Sequence, residues 1–263
     1  MKKIDSIEKY VHSFAPKGWT VDYFFENEED VLFKKIPKTP SIEIHPDIVN
    51  YISVVRRQNL KPYYVAKANN VEVNCFNQVG SVSLTHKEHI FQDVSTKYDF
   101  PDFASEKNEH IDSKSALLSI DSGSNYFHWM CHVLPRIKLL KEYGIDWNEI
   151  NKIILPENRG NFIDETLSIL DIPIHKIIET DKNTTYTFDS LIIPCKPNRH
   201  IHLAPWSIDF LRDNFLREKQ KQEKKFFISR RSNTGRCIEN ENELSNILSQ
   251  EGYETIYLED YSV

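Results

Sequence analysis

A chain of 263 residues, 40% hydrophobic and 12% aromatic, carries enough apolar mass for a sizeable core in one large domain or two modest ones. Its net charge of −6, spread over 27% charged residues, argues against a nucleic-acid partner, and the one dense cationic run, Arg217 to Lys225, is interleaved with Glu218 and Glu223. Four cysteines without a CxxC pair, the polar start MKKIDSIEKY and the lack of any apolar run near the roughly 18 residues of a membrane span argue against disulfides, export and membrane insertion. The expectation is a reduced, cytoplasmic protein, with room for peripheral association at the inner face of a membrane.

The first 110 residues read as strand-rich. Val21–Phe25, Val31–Lys34, Tyr63–Ala66, Val71–Cys75 and Ser81–Leu84 are short β-prone runs, and turn material such as Lys67-Ala68-Asn69-Asn70 separates them. A sheet made of meanders is the simplest arrangement of such runs. From about Leu117 the rhythm changes to strand alternating with helix. Ala116–Ile120 reads as a strand, Asn125 to about Tyr143 as a helix, Lys152–Leu155 as a strand, Phe162–Leu170 as a helix, and Ile177-Ile178 and Leu191–Pro194 as strands. Such alternation predicts an α/β fold with a parallel sheet. Trp206 to about Gln222 follows as a helix whose apolar face is Ile208, Leu211 and Phe215. A last βαβ unit comprises Phe226-Phe227-Ile228, the helix Glu241–Gln250 closed by Gly252, and Glu254–Leu258.

These elements divide the chain into residues 1–110, a β-rich region; 111–224, an α/β domain ending in a linker helix; and 225–263, the first βαβ of a further domain. A βαβ unit of roughly 38 residues cannot bury both faces of its sheet. The last domain is therefore expected to be incomplete, and the native polypeptide to continue past Val263.

The segment Asn125-Tyr-Phe-His128-Trp129-Met-Cys-His132-Val-Leu-Pro135-Arg136-Ile137 places imidazoles and a guanidinium where a buried helix normally carries apolar residues. At helical spacing His128, His132 and Arg136 share one stripe, while Trp129, Val133, Ile137 and Leu140 form the apolar one beside it. Asp121 to Ser124 lead into this helix through Gly123, which predicts a tight turn before a helix N-terminus. Pro135 should kink the helix or end it. His128 is a candidate for substrate contact or proton transfer, since an imidazole near its ordinary pKa can do either, and the bland alternative is that His128 and His132 are hydrogen-bonded inter-domain histidines. Asp121 and Asn125 are explained about equally by helix capping and by a role at the site. His128 and His132, with Cys131 and with His200 and His202 elsewhere, also have the spacing of a metal-dependent hydrolase, but no glutamate of a HExxH helix accompanies them.

Ser229-Arg230-Arg231 follows directly on the strand Phe226–Ile228, so it falls at the carboxyl end of a strand, where α/β sheets bind ligands. A guanidinium fork pairs with two phosphate oxygens at once, and Arg236 after Gly235 could add a third cation. Solvated loop arginines are the bland alternative. There is no GxGxxG, Walker loop, GxSxG or DxD, so dinucleotide oxidoreductases, P-loop kinases, serine hydrolases and metal-chelating sugar transferases all lack their usual support.

At these residues the chain resembles glycosyltransferase family 61, which in bacteria includes capsular polysaccharide biosynthesis proteins. The segment 125–137 is close to the family's N-Y-x-H-W-x-x-D-x-L-P-R-L. Phe227-Ile-Ser229-Arg230-Arg231, Ile238-Glu-Asn240-Glu241-Asn-Glu243-Leu244 and Gly252-Tyr253-Glu254 are similar to its strand-S-R, N-E-x-E-L and G-F-E. The resemblance spans roughly residues 60–263 and is strong at the motifs.

It implies a GT-B-like pair of α/β domains, the second Rossmann-like, with a cleft between them. It also implies inverting, metal-independent transfer from a nucleotide sugar to a glycan or lipid-linked acceptor, with no cofactor. By that resemblance Ser229, Arg230 and Arg231 would contact the donor diphosphate, and Asn125, His132 and Arg136 would line the acceptor side with His128. Where the family commonly has an acidic residue, this chain has His132, so Asp121 or His128 becomes the candidate base. The family continues into G-x-H-G-A-G, which is not found here, so this chain alone is expected to be weakly active or inactive. A non-catalytic glycan- or partner-binding fragment is the alternative.

Overall fold

A computed structural model describes residues 1–25, 63–75, 82–95, 105–156, 160–181, 184–197, 203–216, 224–230 and 238–263. The expected strand Val31–Lys34, together with His200, His202, Arg231, Gly235 and Arg236, lies outside the described residues. Strands β1 (Lys2–Ile4), β2 (Thr20–Phe24), β3 (Tyr63–Cys75), β4 (Val82–His86), β5 (His89–Phe91), β6 (Lys107–Leu117), β7 (Lys152–Leu155), β8 (Ile177–Glu179) and β9 (Thr184–Pro194) form one nine-stranded sheet. Its order is β1-β5-β4-β3-β9-β6-β7-β8, with β2 also on β3.

The sheet is mixed. Strands β9, β6, β7 and β8 run parallel to one another, as the strand–helix alternation predicts, whereas β3 is antiparallel to β2, β4 and β9. The long strand β3 joins the two halves. One of its edges takes β2 along Tyr63–Lys67 and β4 along Glu72–Cys75, and the other takes β9 from Val65↔Pro194 to Cys75↔Thr184. The Lys67–Asn70 stretch, expected as a turn, stays in the strand. Ala68 is fully buried opposite Leu191, and Asn70 accommodates the path with a φ of 53°. The β9 ladder through Lys67, Ala68 and Asn69, with Trp19 Nε1 donating to Asn69 O on the other edge, holds this stretch extended, and tertiary hydrogen bonding overrides weak local turn preference. The expected boundary near residue 110 falls inside β6, and the meandering strands and the α/β strands share one sheet.

The core follows from this topology. Val65, Ala66, Ala68, Val71 and Val73 of β3, Ala116 and Leu117 of β6, Ile153 to Leu155 of β7 and Leu191 to Ile193 of β9 are buried. Helix α1 (Ile7–Phe14) buries Ile7 and Tyr10 and is capped by Ser6, whose Oγ accepts from the Lys9 N–H. Helix α2 (residues 126–142) buries Trp129, Val133, Leu134, Ile137, Leu139 and Leu140. Helix α3 (Asn161–Ile169) is locked to it where Trp129 Nε1 donates to Thr166 Oγ1 at 2.8 Å. Helix α4 (Pro205–Phe215) buries Trp206 and Phe210.

Beyond it, β10 (Lys225–Ile228) and β11 (Tyr253–Ile256) pair in parallel across helix α5 (Glu241–Gln250), which is the expected βαβ unit. This is a two-stranded sheet of its own, with Phe226 and Ile228 about half exposed. No helix among the described residues is long and apolar enough to cross a membrane.

Candidate active site

The carboxyl ends of β6 and β9 meet helix α2 at Arg136. After Leu117 the chain passes through Leu118, Ser119 and Ile120 into a double turn, in which Gly123 N–H donates to Ile120 O and Asn125 N–H donates to Ser122 O. Gly123 sits at a close approach, since a Cβ there would stand 3.0 Å from Ile120 O and 3.2 Å from Pro156 Cγ. Asn125 ends the turn as the helix cap, its Oδ1 accepting from the Phe127 N–H at 3.0 Å. Capping therefore accounts for the side chain of Asn125.

Helix α2 does not stop at Pro135. Tyr126–His128 and Leu134–Glu142 are α-helical, and Trp129–Val133 between them is a wider π-turn in which Leu134 N–H reaches back to Trp129 O. A proline has no N–H to donate one turn back, and its ring presses on that carbonyl. One widened turn absorbs both problems, and such π-bulges are frequent at functional sites.

The widened turn carries the two histidines. His128 Nδ1 and His132 Nδ1 lie 2.9 Å apart. Burial lowers the pKa of His128, and Asp121 at the end of the β6 loop opposes that shift. Burial, then His128, then Lys196 push His132 down to about 4, so it is neutral at ordinary pH. His132 Nε2 is buried and has no hydrogen-bond partner in the structure. Phe127 is 53% exposed and sets its ring edge-on to both imidazoles, at centroid distances of 5.4 and 5.6 Å.

Arg136 departs from the expectation of a substrate contact. It is 1% exposed and faces into the fold. Its Nε and Nη2 donate to Pro194 O at 3.1 and 2.7 Å, and its Nη1 donates to Leu118 O and Ser119 O at 3.0 and 3.2 Å. These carbonyls stand at the carboxyl ends of β6 and β9, so one guanidinium fork ties both strand ends to α2. Burial depresses its pKa to about 10, and it remains charged. The stripe drawn from sequence is broken by the π-turn, which separates the partly open His128 from the enclosed Arg136.

Sequence reasoning missed a second layer under the histidines. Lys196, two residues past β9, donates to Ser95 O at 3.0 Å and lies within electrostatic reach of His132 and Asp93. The Asp93 carboxyl accepts from the Tyr64 hydroxyl and from the Ile7 N–H, and burial raises its pKa to about 6. Tyr64 N–H in turn donates to Cys195 Sγ at 3.3 Å. A charged residue just past a strand's carboxyl end was a readable signal for Lys196. Asp93 had none, because its placement depends on β5 folding back beside β1.

Ser229 and Arg230 stand at the carboxyl end of β10, as expected. Ser229 is buried with its N–H on Ile256 O, which extends the β10–β11 ladder, and Arg230 N–H donates to Glu241 Oε1 at 3.0 Å. Glu241 thus pins the Arg230 backbone while the residue as a whole stays exposed. Among the described residues no group of three or more His, Cys, Asp or Glu could hold a metal ion.

The family model described as glycosyltransferase 61 matches residues 126–263, which takes in both the histidine helix and the Ser229-Arg230 turn. No curated protein and no solved structure matches the chain.

Proposed function

Because the chain belongs to glycosyltransferase family 61, we propose that it transfers a sugar with inversion from a nucleotide-sugar donor to a glycan or lipid-linked acceptor in surface or capsular polysaccharide synthesis. The observation that carries this reading is the span of the family match, which takes in the histidine helix and the Ser229-Arg230 turn. At the start of α2, His128, with Asp121 of the preceding loop acting on it, supplies a neutral imidazole suited to accept the proton of an attacking hydroxyl. At the end of β10, Ser229 and Arg230, followed in sequence by Arg231, offer a hydroxyl and guanidinium chemistry suited to a departing diphosphate.

In the proposed reaction the acceptor oxygen forms its bond to the anomeric carbon while the bond from that carbon to the diphosphate oxygen breaks. The electron pair leaves with the diphosphate. Negative charge grows on the leaving group, so cations fixed at a strand end meet the demand without a metal or cofactor. The two groups would face one another across a GT-B-like cleft, in the cytoplasm or at the inner face of the membrane. The deciding experiment is Arg230→Ala in the protein at its native length. Turnover of a panel of UDP-, GDP- and CMP-sugars should fall to background while the circular dichroism spectrum is retained; wild-type turnover in the variant overturns the reading. Nucleotide-sugar binding without any turnover by the wild-type protein would favour a non-catalytic glycan-binding role instead.

A further inference from the structure

We propose that His132 is a positioning residue for His128: its Nδ1 accepts the Nδ1–H of His128, leaving His128 Nε2 bare as the atom that takes the acceptor hydroxyl's proton. The proposal rests on the glycosyltransferase reading for the reaction and on the geometry of the pair for the assignment.

A separation of 2.9 Å between two Nδ1 atoms requires one N–H between them, so two arrangements exist. In the first, His132 donates and His128 accepts. The proton of neutral His128 then sits on Nε2, and its Nδ1 is already engaged. His128 could accept a further proton only by giving up the hydrogen bond. In the second, His128 donates and His132 accepts. Nε2 of His128 is then unprotonated, and when it takes a proton the same Nδ1–H goes on donating, now from an imidazolium and more strongly. Only the second arrangement survives the proton transfer intact.

The surroundings divide the work between the rings. His132 Nε2 is walled in and unpartnered, so Nδ1 is the one nitrogen through which this ring acts, and it points at His128. Both rings are partly buried, and burial weighs less on His128, in the first turn after Asn125, than on His132. The charged groups acting on the pair from other elements agree in direction. Asp121, from the β6 loop, favours a proton on His128, and Lys196, from the end of β9, disfavours one on His132. An added proton therefore rests on His128, with His132 as its neutral acceptor. A neutral imidazole here does the orienting work that a carboxylate performs in other acid–base pairs, without the carboxylate's charge.

The balanced step is simple. The acceptor O–H bond breaks, its proton moves to His128 Nε2, the oxygen joins the anomeric carbon, and the diphosphate leaves with the bonding pair. The imidazolium then loses its proton to solvent.

The test reads the tautomers directly. With ¹⁵N-histidine-labelled protein at pH 7.5, long-range ¹H–¹⁵N correlation should show His128 protonated at Nδ1 and His132 protonated at Nε2, with signals assigned by His128→Gln and His132→Gln. His128 protonated at Nε2 overturns the proposal whatever the reaction proves to be. In turnover assays on any nucleotide sugar the wild-type protein accepts, His132→Phe should lower kcat by at least about 10-fold with KM little changed. His132→Asn, which keeps an acceptor oxygen, should recover most of that loss. His132→Asp should move the acid limb of the pH profile up by about one unit or more, because its carboxylate stabilises the imidazolium. Equal loss in all three variants overturns the positioning role. If the wild-type protein turns over no nucleotide sugar, the glycosyltransferase reading fails while the tautomer result still stands on its own.

Discussion

Replacing Arg136 by Met keeps the length of the buried stem and removes the fork. Three buried carbonyls, Leu118 O, Ser119 O and Pro194 O, then lose the donors that reach them at 2.7–3.2 Å. Each unsatisfied carbonyl costs about 1–3 kcal/mol, which brackets a gross loss of roughly 3–9 kcal/mol. Against this, the folded state no longer bears the desolvation of a guanidinium held by carbonyls alone, a term of several kcal/mol that moves the net loss to the low end, about 3–4 kcal/mol. That is a large fraction of the roughly 5–15 kcal/mol by which domains are stable. In a thermal melt it corresponds to roughly 6–16 °C. Arg136→Lys retains charge but, as a point donor, cannot span the ends of two strands, and should lose about 2 kcal/mol. Urea unfolding at pH 8 followed by circular dichroism measures both variants. The reasoning is refuted if Arg136→Met lies within about 1 kcal/mol of wild type, or if Met is more stable than Lys. Unchanged stability with a raised KM for acceptor would return Arg136 to the substrate.

Two buried groups should oppose one another in the pH dependence of stability. Asp93 has a folded pKa raised to about 6, so the folded state holds its proton longer than the unfolded chain and stability falls as pH rises from about 4 to 6, by at most about 3 kcal/mol. His132, lowered to about 4, acts the other way, since the unfolded chain binds the proton first and stability rises with pH between 4 and about 6.5. Asp93→Asn should therefore unmask a steep rise with pH and be more stable than wild type at pH 8, whereas His132→Gln should unmask a fall; flat profiles in both variants would show that neither group titrates as described. Gly123→Ala should cost about 1 kcal/mol or more, because its Cβ meets backbone at Ile120 O on one side and Pro156 on the other. A neutral melt for that variant would mean the turn opens without strain.

Local chemistry in the sequence was enough to place β7, α3, β8, β10 and α5. Lys152–Leu155 and Glu241–Gln250 have the expected bounds, because short apolar runs between turn signals and an amphipathic helix before glycine carry their own periodicity. The first halves of β6 and β9 were not legible. Segments such as Lys107–His110 are polar and exposed, and they are strands because Thr184–Thr187 of β9 pairs with them. Nor could periodicity show that β3 runs unbroken through Lys67–Asn70, since the ladder with β9 decides that.

At the site, the residue types and order of His128, His132 and Arg136 were set by the sequence, and so was the family to which they point. Their division of labour was not. An ideal helical repeat places all three on one stripe, but Pro135 widens the turn between them. The strand ends then present three carbonyls to Arg136, and Lys196 comes under His132. A side chain's spacing along one helix follows from local geometry, whereas its protonation and its partners depend on what other strands bring within a few ångströms, and only the tertiary structure decides that.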